Sequence, residues 1–191
     1  MKLGLDFYLQ EDVIALSHQL LGQVLCTEFD GKFTSGIITE TEAYAGVNDK
    51  ASHAFGNRLT TRTAPMYEQG GIAYVYLCYG IHSLFNVVTN IKGIPHAILI
   101  RAIHPLEGIP EMLKRRNKDK ADARLTSGPG TVAQALGIHY KHSGTSLLGN
   151  NIWIEKSDKE IFAENISIGP RIGVAYAEEH ALLPYRFKLK L

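Results

Sequence analysis

Gln23-Val24-Leu25-Cys26-Thr27-Glu28 and Ser35-Gly36-Ile37-Ile38-Thr39-Glu40-Thr41-Glu42-Ala43-Tyr44 are two apolar runs joined by Phe29-Asp30-Gly31-Lys32. Asp-Gly between such runs is a strong hairpin signal, because both residues tolerate the positive φ of a tight two-residue turn. The pair therefore reads as an antiparallel hairpin. The second run also carries chemistry. On a strand, alternate side chains share a face, so Ile38, Glu40, Glu42 and Tyr44 point the same way. Two carboxylates beside an aromatic ring, directly before a long loop, make a candidate acid/base site. The same residues equally suit a strand with a solvent-facing polar edge, and periodicity alone does not separate Glu42 from Glu40.

Working outward, residues 7–21 read as an amphipathic helix, with Val13, Leu16, Leu20 and Leu21 at helical spacing and Gly22 as its stop. Gln10-Glu11-Asp12 would place acids in its first turn. Residues 47–71 are polar and rich in Gly, Asn, Thr and Arg, and a loop of that length is usually functional. Strands are expected at 73–79, closed by Gly80, and at 84–89 and 97–103. Shorter ones are expected at 152–155, 166–168 and 187–189. Residues 110–123 read as a charged helix, and 131–136 as another directly after Ser127-Gly128-Pro129-Gly130. Sequential strands joined by short turns favour an α+β fold. The expectation is a single compact domain over 1–191, a curved, largely antiparallel β-sheet flanked by helices.

The chain has 191 residues, 45% hydrophobic and 20% charged, the balance of an ordinary soluble protein. Two cysteines, Cys26 and Cys78, are too few for a disulfide framework. No run approaches the roughly 18 apolar residues of a membrane span. Asp6, Gln10, Glu11 and Asp12 interrupt the opening segment, so no secretory signal is expected and the cytoplasm is the default location. A formal net charge of +1 excludes a generally basic surface. Any contact with nucleic acid must rest on local charge.

Three further clusters stand out. Tyr74-Val75-Tyr76-Leu77-Cys78-Tyr79-Gly80 offers flat rings for stacking, although tyrosine also simply fills strands. Arg58 and Arg62 lie in the long loop, and Arg101 ends an apolar strand, where it needs a carboxylate or an ordered water as partner. The cations at 114–120 are diluted by acids and read as a solvated face. Ser127-Gly128-Pro129-Gly130-Thr131 suits either a phosphate or a plain helix cap. His139 and His142 lack the company of a metal site, and no serine-nucleophile motif occurs.

In order along the chain, these segments resemble the alkyladenine (3-methyladenine, methylpurine) DNA glycosylase family. The match is carried by Glu40-Thr41-Glu42-Ala43-Tyr44 with His53, and by Tyr74-Val75-Tyr76-Leu77-Cys78-Tyr79-Gly80 with Asn86. Leu99-Ile100-Arg101-Ala102, Pro105-Leu106-Glu107-Gly108, Ser127-Gly128-Pro129, Arg171-Ile172-Gly173-Val174 and Pro184-Tyr185-Arg186-Phe187 complete it. The resemblance implies a monofunctional enzyme that flips alkylated or deaminated purines from double-stranded DNA and hydrolyses the glycosidic bond. It implies Glu42 as the base that activates water and Arg101 as the group holding that water and a phosphate. Tyr44, His53 and Tyr76 would wall the base pocket, Asn86 would crowd the amino group of normal guanine, and Tyr79 would be the intercalating wedge. Glu40 has no catalytic role in the family pattern. No metal or organic cofactor, no membrane and a monomeric state are implied. Arg62-Thr63-Ala64-Pro65-Met66-Tyr67 is a loose version of the family's basic segment, which leaves the loop's contacts to DNA open. Competing readings are a helix-hairpin-helix glycosylase, a sugar glycosidase using Glu40 and Glu42, and a non-catalytic module binding damaged DNA.

Overall fold

The computed structural model describes residues Met1–Leu191. The hairpin forms as the sequence suggests. Strand β1 (Val24–Phe29) pairs with β2 (Lys32–Tyr44) from Val24↔Ile37 to Phe29↔Lys32, and Asp30 (φ 52°) with Gly31 (φ 68°) makes the turn. At 13 residues, β2 outruns its partner, so its edges are shared. One edge takes β5 (His96–Glu107) along most of its length. The other edge passes from β1 to β8 (Arg186–Leu189), which pairs with Glu40–Glu42.

The remaining strands extend this frame. With β3 (Ala73–Cys78), β4 (His82–Thr89), β6 (Ile152–Glu155) and β7 (Ile166–Gly169), the sheet runs β3-β4-β5-β2-β1-β6, and β7 joins through β8. Every pairing is antiparallel. Against β5, β2 shifts register at Ser35/Gly36, Ile38/Glu40 and Glu40/Thr41. Such irregularities bend a strand and increase its twist, and they fall where β2 changes neighbours, so the sheet curls around Glu40 and Glu42. Gly36 is required at the first shift, since a Cβ there would lie 2.8 Å from the His104 carbonyl oxygen.

The expected helix over 7–21 is instead two, α1 (Leu5–Tyr8) and α2 (Val13–Gln19). Asp12 is the reason. Its carboxylate accepts from the N–H groups of Ile14 and Ala15, both at 2.9 Å, so it caps a new helix rather than sitting in the first turn of a longer one. Helix α3 (Ile109–Arg116) stops well short of residue 123, because Asn117 turns left-handed at φ 50°. Helix α4 (Pro129–Leu136) follows Ser127-Gly128.

The helices cover one face of the sheet. Leu16 of α2, Leu20 that caps it, and Val132 and Leu136 of α4 join Leu25, Ile38, Ile98 and Ile100 in a core of 27 buried residues. The opposite face is covered by the loop over 47–71, which is entered through a short 3-10 turn, Gly46–Asn48, and holds two more, Phe55–Asn57 and Ala64–Tyr67. Ala54 and Met66 anchor it against Tyr74, Val88 and Ala97, and Ala51 packs with Val174 and Ala177. The loop is thus folded onto the sheet, and the space left between them is the site. No helix is long and apolar enough to cross a membrane.

The α2 cap yields a stability test. Asp12→Ala removes both capping bonds and is expected to cost about 1 kcal/mol, lowering the melting temperature by roughly 2–4 °C. An unchanged thermal transition would show that Asp12 does not hold the helix start.

Candidate active site

Glu42 sits where β2 is flanked on both sides, opposite Leu99 of β5 and Arg186 of β8. Its side chain has 0% exposure, so the solvent-facing reading of this strand does not hold. A buried, unpaired carboxylate would cost several kcal/mol, and two hydrogen-bond donors and one guanidinium charge answer it. The Ile172 N–H donates to Oε1 at 2.8 Å, the Tyr44 hydroxyl donates to Oε2 at 2.8 Å, and Arg101 Nε lies 3.4 Å from Oε1. Burial still wins: it lifts the Glu42 pKa above 4.5, against the opposing pull of Arg101, the Ile172 N–H and the Tyr44 hydroxyl. A carboxylate has about four lone-pair sites, so these donors leave room for one more partner.

Arg101 finds carboxylates. Its Nε donates to Glu40 Oε1 at 3.2 Å while also facing Glu42. Glu40, only 8% exposed, accepts in addition from Arg186 Nη1 at 3.1 Å. Both carboxylates therefore reach the same guanidinium, as expected for residues on one strand face.

Above this cluster lies a cavity of about 420 Å³ whose lining includes Tyr44, His53, Tyr76, Tyr79, Asn86 and Arg101. All seven residues singled out in the sequence thus converge, six on the cavity wall and Glu42 just beneath it. The three partners of Glu42 (Tyr44, Arg101 and Ile172) all line that cavity, so Glu42 meets it through them. The volume lies within the range of about 300–1,000 Å³ typical of small-molecule sites.

The wall is aromatic. Tyr74 and Tyr76 have ring centroids 5.5 Å apart, and His53 packs edge-on to Tyr76 at 4.7 Å. His53 Nδ1 lies 2.8 Å from the Tyr74 hydroxyl. Burial, helped by the nearby Arg62 and Arg58 charges, lowers the His53 pKa to about 4, so the ring is neutral at pH 7. Asn86, buried opposite Tyr74, is fixed by donating its amide to the Tyr74 carbonyl at 3.1 Å. Tyr79 is different from its neighbours. It stands at the tip of the β3–β4 hairpin, 93% exposed and at φ 51°, a conformation uncommon for an aromatic residue, with Ile81 73% exposed beside it.

A second, polar cavity of about 410 Å³ shares His53, Arg62 and Tyr176 with the first and adds Lys50 and Arg58. Arg62 lies over the Tyr76 ring with Cζ 4.9 Å from its centroid. Neither Arg58 nor Arg62 is paired with a carboxylate. The charged segment after Gly108 behaves oppositely: Arg115 pairs with Glu111, Lys118 with Asp122, and Arg116 bonds Gln134.

Two parts of the site escaped the sequence reading. Arg171 and Asp49 form a fully buried, two-pronged ion pair, and Arg171 also donates to the carbonyls of Ala43 (2.9 Å) and His180 (3.0 Å). Its guanidinium lies over Tyr44 and Tyr185, at 4.9 and 5.2 Å. Burial acts to raise the Asp49 pKa, yet the Arg171 contact overcomes it and the net shift is downward. This clamp ties the start of the 47–71 loop to the segment that supplies the Ile172 N–H. Tyr176 adds a second tie by donating to the Ala51 carbonyl at 3.0 Å.

The raised pKa of Glu42 means that its charged form destabilises the fold at neutral pH, since a group protonated more readily when folded loses stability as pH rises through its pKa. Glu42→Gln is therefore expected to raise the melting temperature at pH 7, by roughly 2–4 °C for each kcal/mol relieved. A lower melting temperature would mean that the ion pair with Arg101 outweighs burial.

The family model described as methylpurine-DNA glycosylase (MPG) matches residues 6–191. A Chlamydia felis protein named "Putative 3-methyladenine DNA glycosylase" is 51% identical over 187 residues, covering 97% of this chain and 95% of its own. Proteins of the same name from Chlamydia pneumoniae and Bacillus cereus are 48% and 46% identical, covering 96% and 97% of this chain and 92% and 94% of their own. With a family match over nearly its whole length and relatives at this identity, the chain belongs to the methylpurine-DNA glycosylase family.

Proposed function

We propose that the protein is a monofunctional DNA glycosylase that works as a cytoplasmic monomer on double-stranded DNA. It extrudes alkylated or deaminated purines (3-methyladenine, 7-methylguanine, hypoxanthine and ethenoadenine) and hydrolyses their N-glycosidic bond. The observation that carries this reading is a fully buried carboxylate whose partners form the floor of an aromatic cavity. Family membership supplies the reaction class.

Chemistry on a base requires taking it out of the stack, at a cost of a few kcal/mol. Tyr79, exposed on its hairpin tip, enters the duplex and fills the gap. The extruded base stacks among Tyr44, Tyr76 and neutral His53, where a cationic alkylpurine gains cation–π attraction. Arg58 and Arg62, free of carboxylates, are suited to backbone phosphates, and Arg101 to the phosphate nearest the sugar and to the attacking water. Glu42 takes a proton from that water as its oxygen bonds to C1′. The bond from C1′ to the base nitrogen breaks, and its electron pair leaves with the base. The carboxylate also offsets the positive charge that develops on the sugar. Asn86, held rigidly by the Tyr74 carbonyl, crowds the exocyclic amino group of guanine. With no lysine assigned to attack C1′, the products are a free base and an abasic site.

The direct check is incubation with duplexes containing ethenoadenine or hypoxanthine, followed by alkali to break abasic strands. Wild type should yield breaks and Glu42→Gln none. Intact strands with wild type on every lesion would sink the reading. Tyr79→Ser should weaken binding to lesion duplex more than it slows cleavage at saturating enzyme; an equal loss in the saturated cleavage step would contradict the wedge.

A further inference from the structure

Arg101 offers a single Nε–H to two carboxylates, and Glu40 at 3.2 Å is closer than Glu42 at 3.4 Å. No protein group accepts from the Nη atoms of Arg101, which lines the cavity. Glu40 is itself held. Its Oε1 accepts from Arg186 Nη1 at 3.1 Å, and Arg186 Nε donates to the Pro170 carbonyl at 2.8 Å. Pro170 begins the segment whose Ile172 N–H binds Glu42. A path of charge-assisted hydrogen bonds thus runs from Pro170 through Arg186 and Glu40 to Arg101. The register shifts on either side of Glu40 bring its carboxylate to that guanidinium beside the Glu42 carboxylate.

The energetic consequence follows from competition. Ion pairs in a poorly solvated interior are strong, because little solvent screens them. Without the charge of Glu40, the only carboxylate within reach of Arg101 is Glu42, and the guanidinium would close on it. That closure would occupy the lone pair a water needs and draw the Nη edge out of the cavity. Resting on the glycosylase reading above, we propose that Glu40 is a positioning residue for base hydrolysis: it holds Arg101 off Glu42, with its Nη edge turned to the substrate.

The test is single-turnover excision of ethenoadenine at saturating enzyme across pH, comparing wild type, Glu40→Gln and Arg186→Gln. A displacement of about 1 Å in such a group can cost about 100-fold, so Glu40→Gln should lower the plateau rate by about tenfold or more. Lesion-duplex affinity should fall less than the plateau rate, since the aromatic walls and Tyr79 are untouched and only the Arg101 contact shifts. The acidic limb of the profile supplies a readout that a merely structural role would not move. The charged or titratable groups facing Glu42 are Arg101 from β5, Glu40 and Tyr44 from β2, and Arg171 and Tyr176 from the segment before β8. Removing Glu40 subtracts a like charge and strengthens the hold of Arg101, so the limb should move to lower pH. Arg186→Gln, which leaves Glu40 charged but unanchored, should lower the plateau rate more weakly without moving the limb to lower pH, and Arg186→Lys should recover most of the rate. It also serves as the measure if Glu40→Gln does not fold. Plateau rates within twofold of wild type and an unmoved limb would overturn the role of Glu40 alone. A wild type inert on every lesion would remove the reaction, and this role with it.

Discussion

A carboxylate with no surface open to bulk solvent has to have its charge answered by the protein, and much of this molecule is arranged around that requirement at Glu42. Tyr44 comes from the same strand, Arg101 from the strand beside it, and the Ile172 N–H from a segment 130 residues further on. Each donor stabilises the charged form, and burial still raises the pKa. The balance leaves a poorly solvated carboxyl that is more basic than an ordinary glutamate, the direction in which a general base is tuned.

The fold supplies this through one long strand. Because β2 exchanges β1 for β8 along one edge while keeping β5 on the other, both of its edges are occupied at Glu42, and the side chain cannot reach solvent sideways. The core packs helices on one face only, which leaves the other face for the loop and cavity. The Arg171–Asp49 clamp then fixes the two coverings of that face to each other. A buried pair of this kind is weak evidence for net stability. Its value here is geometric, since Arg171 lies over the Tyr44 ring and neighbours the backbone that donates to Glu42.

Much of this was readable from residues alone. Asp30-Gly31 between apolar runs located the hairpin, and strand alternation placed Glu40, Glu42 and Tyr44 on one face. What periodicity could not do was rank two carboxylates two residues apart. The resemblance separated them, and the structure adds the physical difference: Glu42 is sealed under a cavity, whereas Glu40 lies between two arginines. The break between α1 and α2 was missed because Asp12 suits a first turn and a cap equally well in composition. The clamp was invisible for another reason. Arg171 and Asp49 lie 122 residues apart, and a backbone donor such as the Ile172 N–H has no side-chain signature.

The central claim is that Glu42, with its pKa raised by burial, deprotonates the attacking water. The most direct measurement is the pH dependence of single-turnover excision of 7-methylguanine, a base already cationic that needs no proton in order to leave. The rate should fall as pH decreases, through one limb whose midpoint lies above the ordinary glutamate value of 4.5. A rate independent of pH across that limb, or one that rises toward acid, would contradict the account.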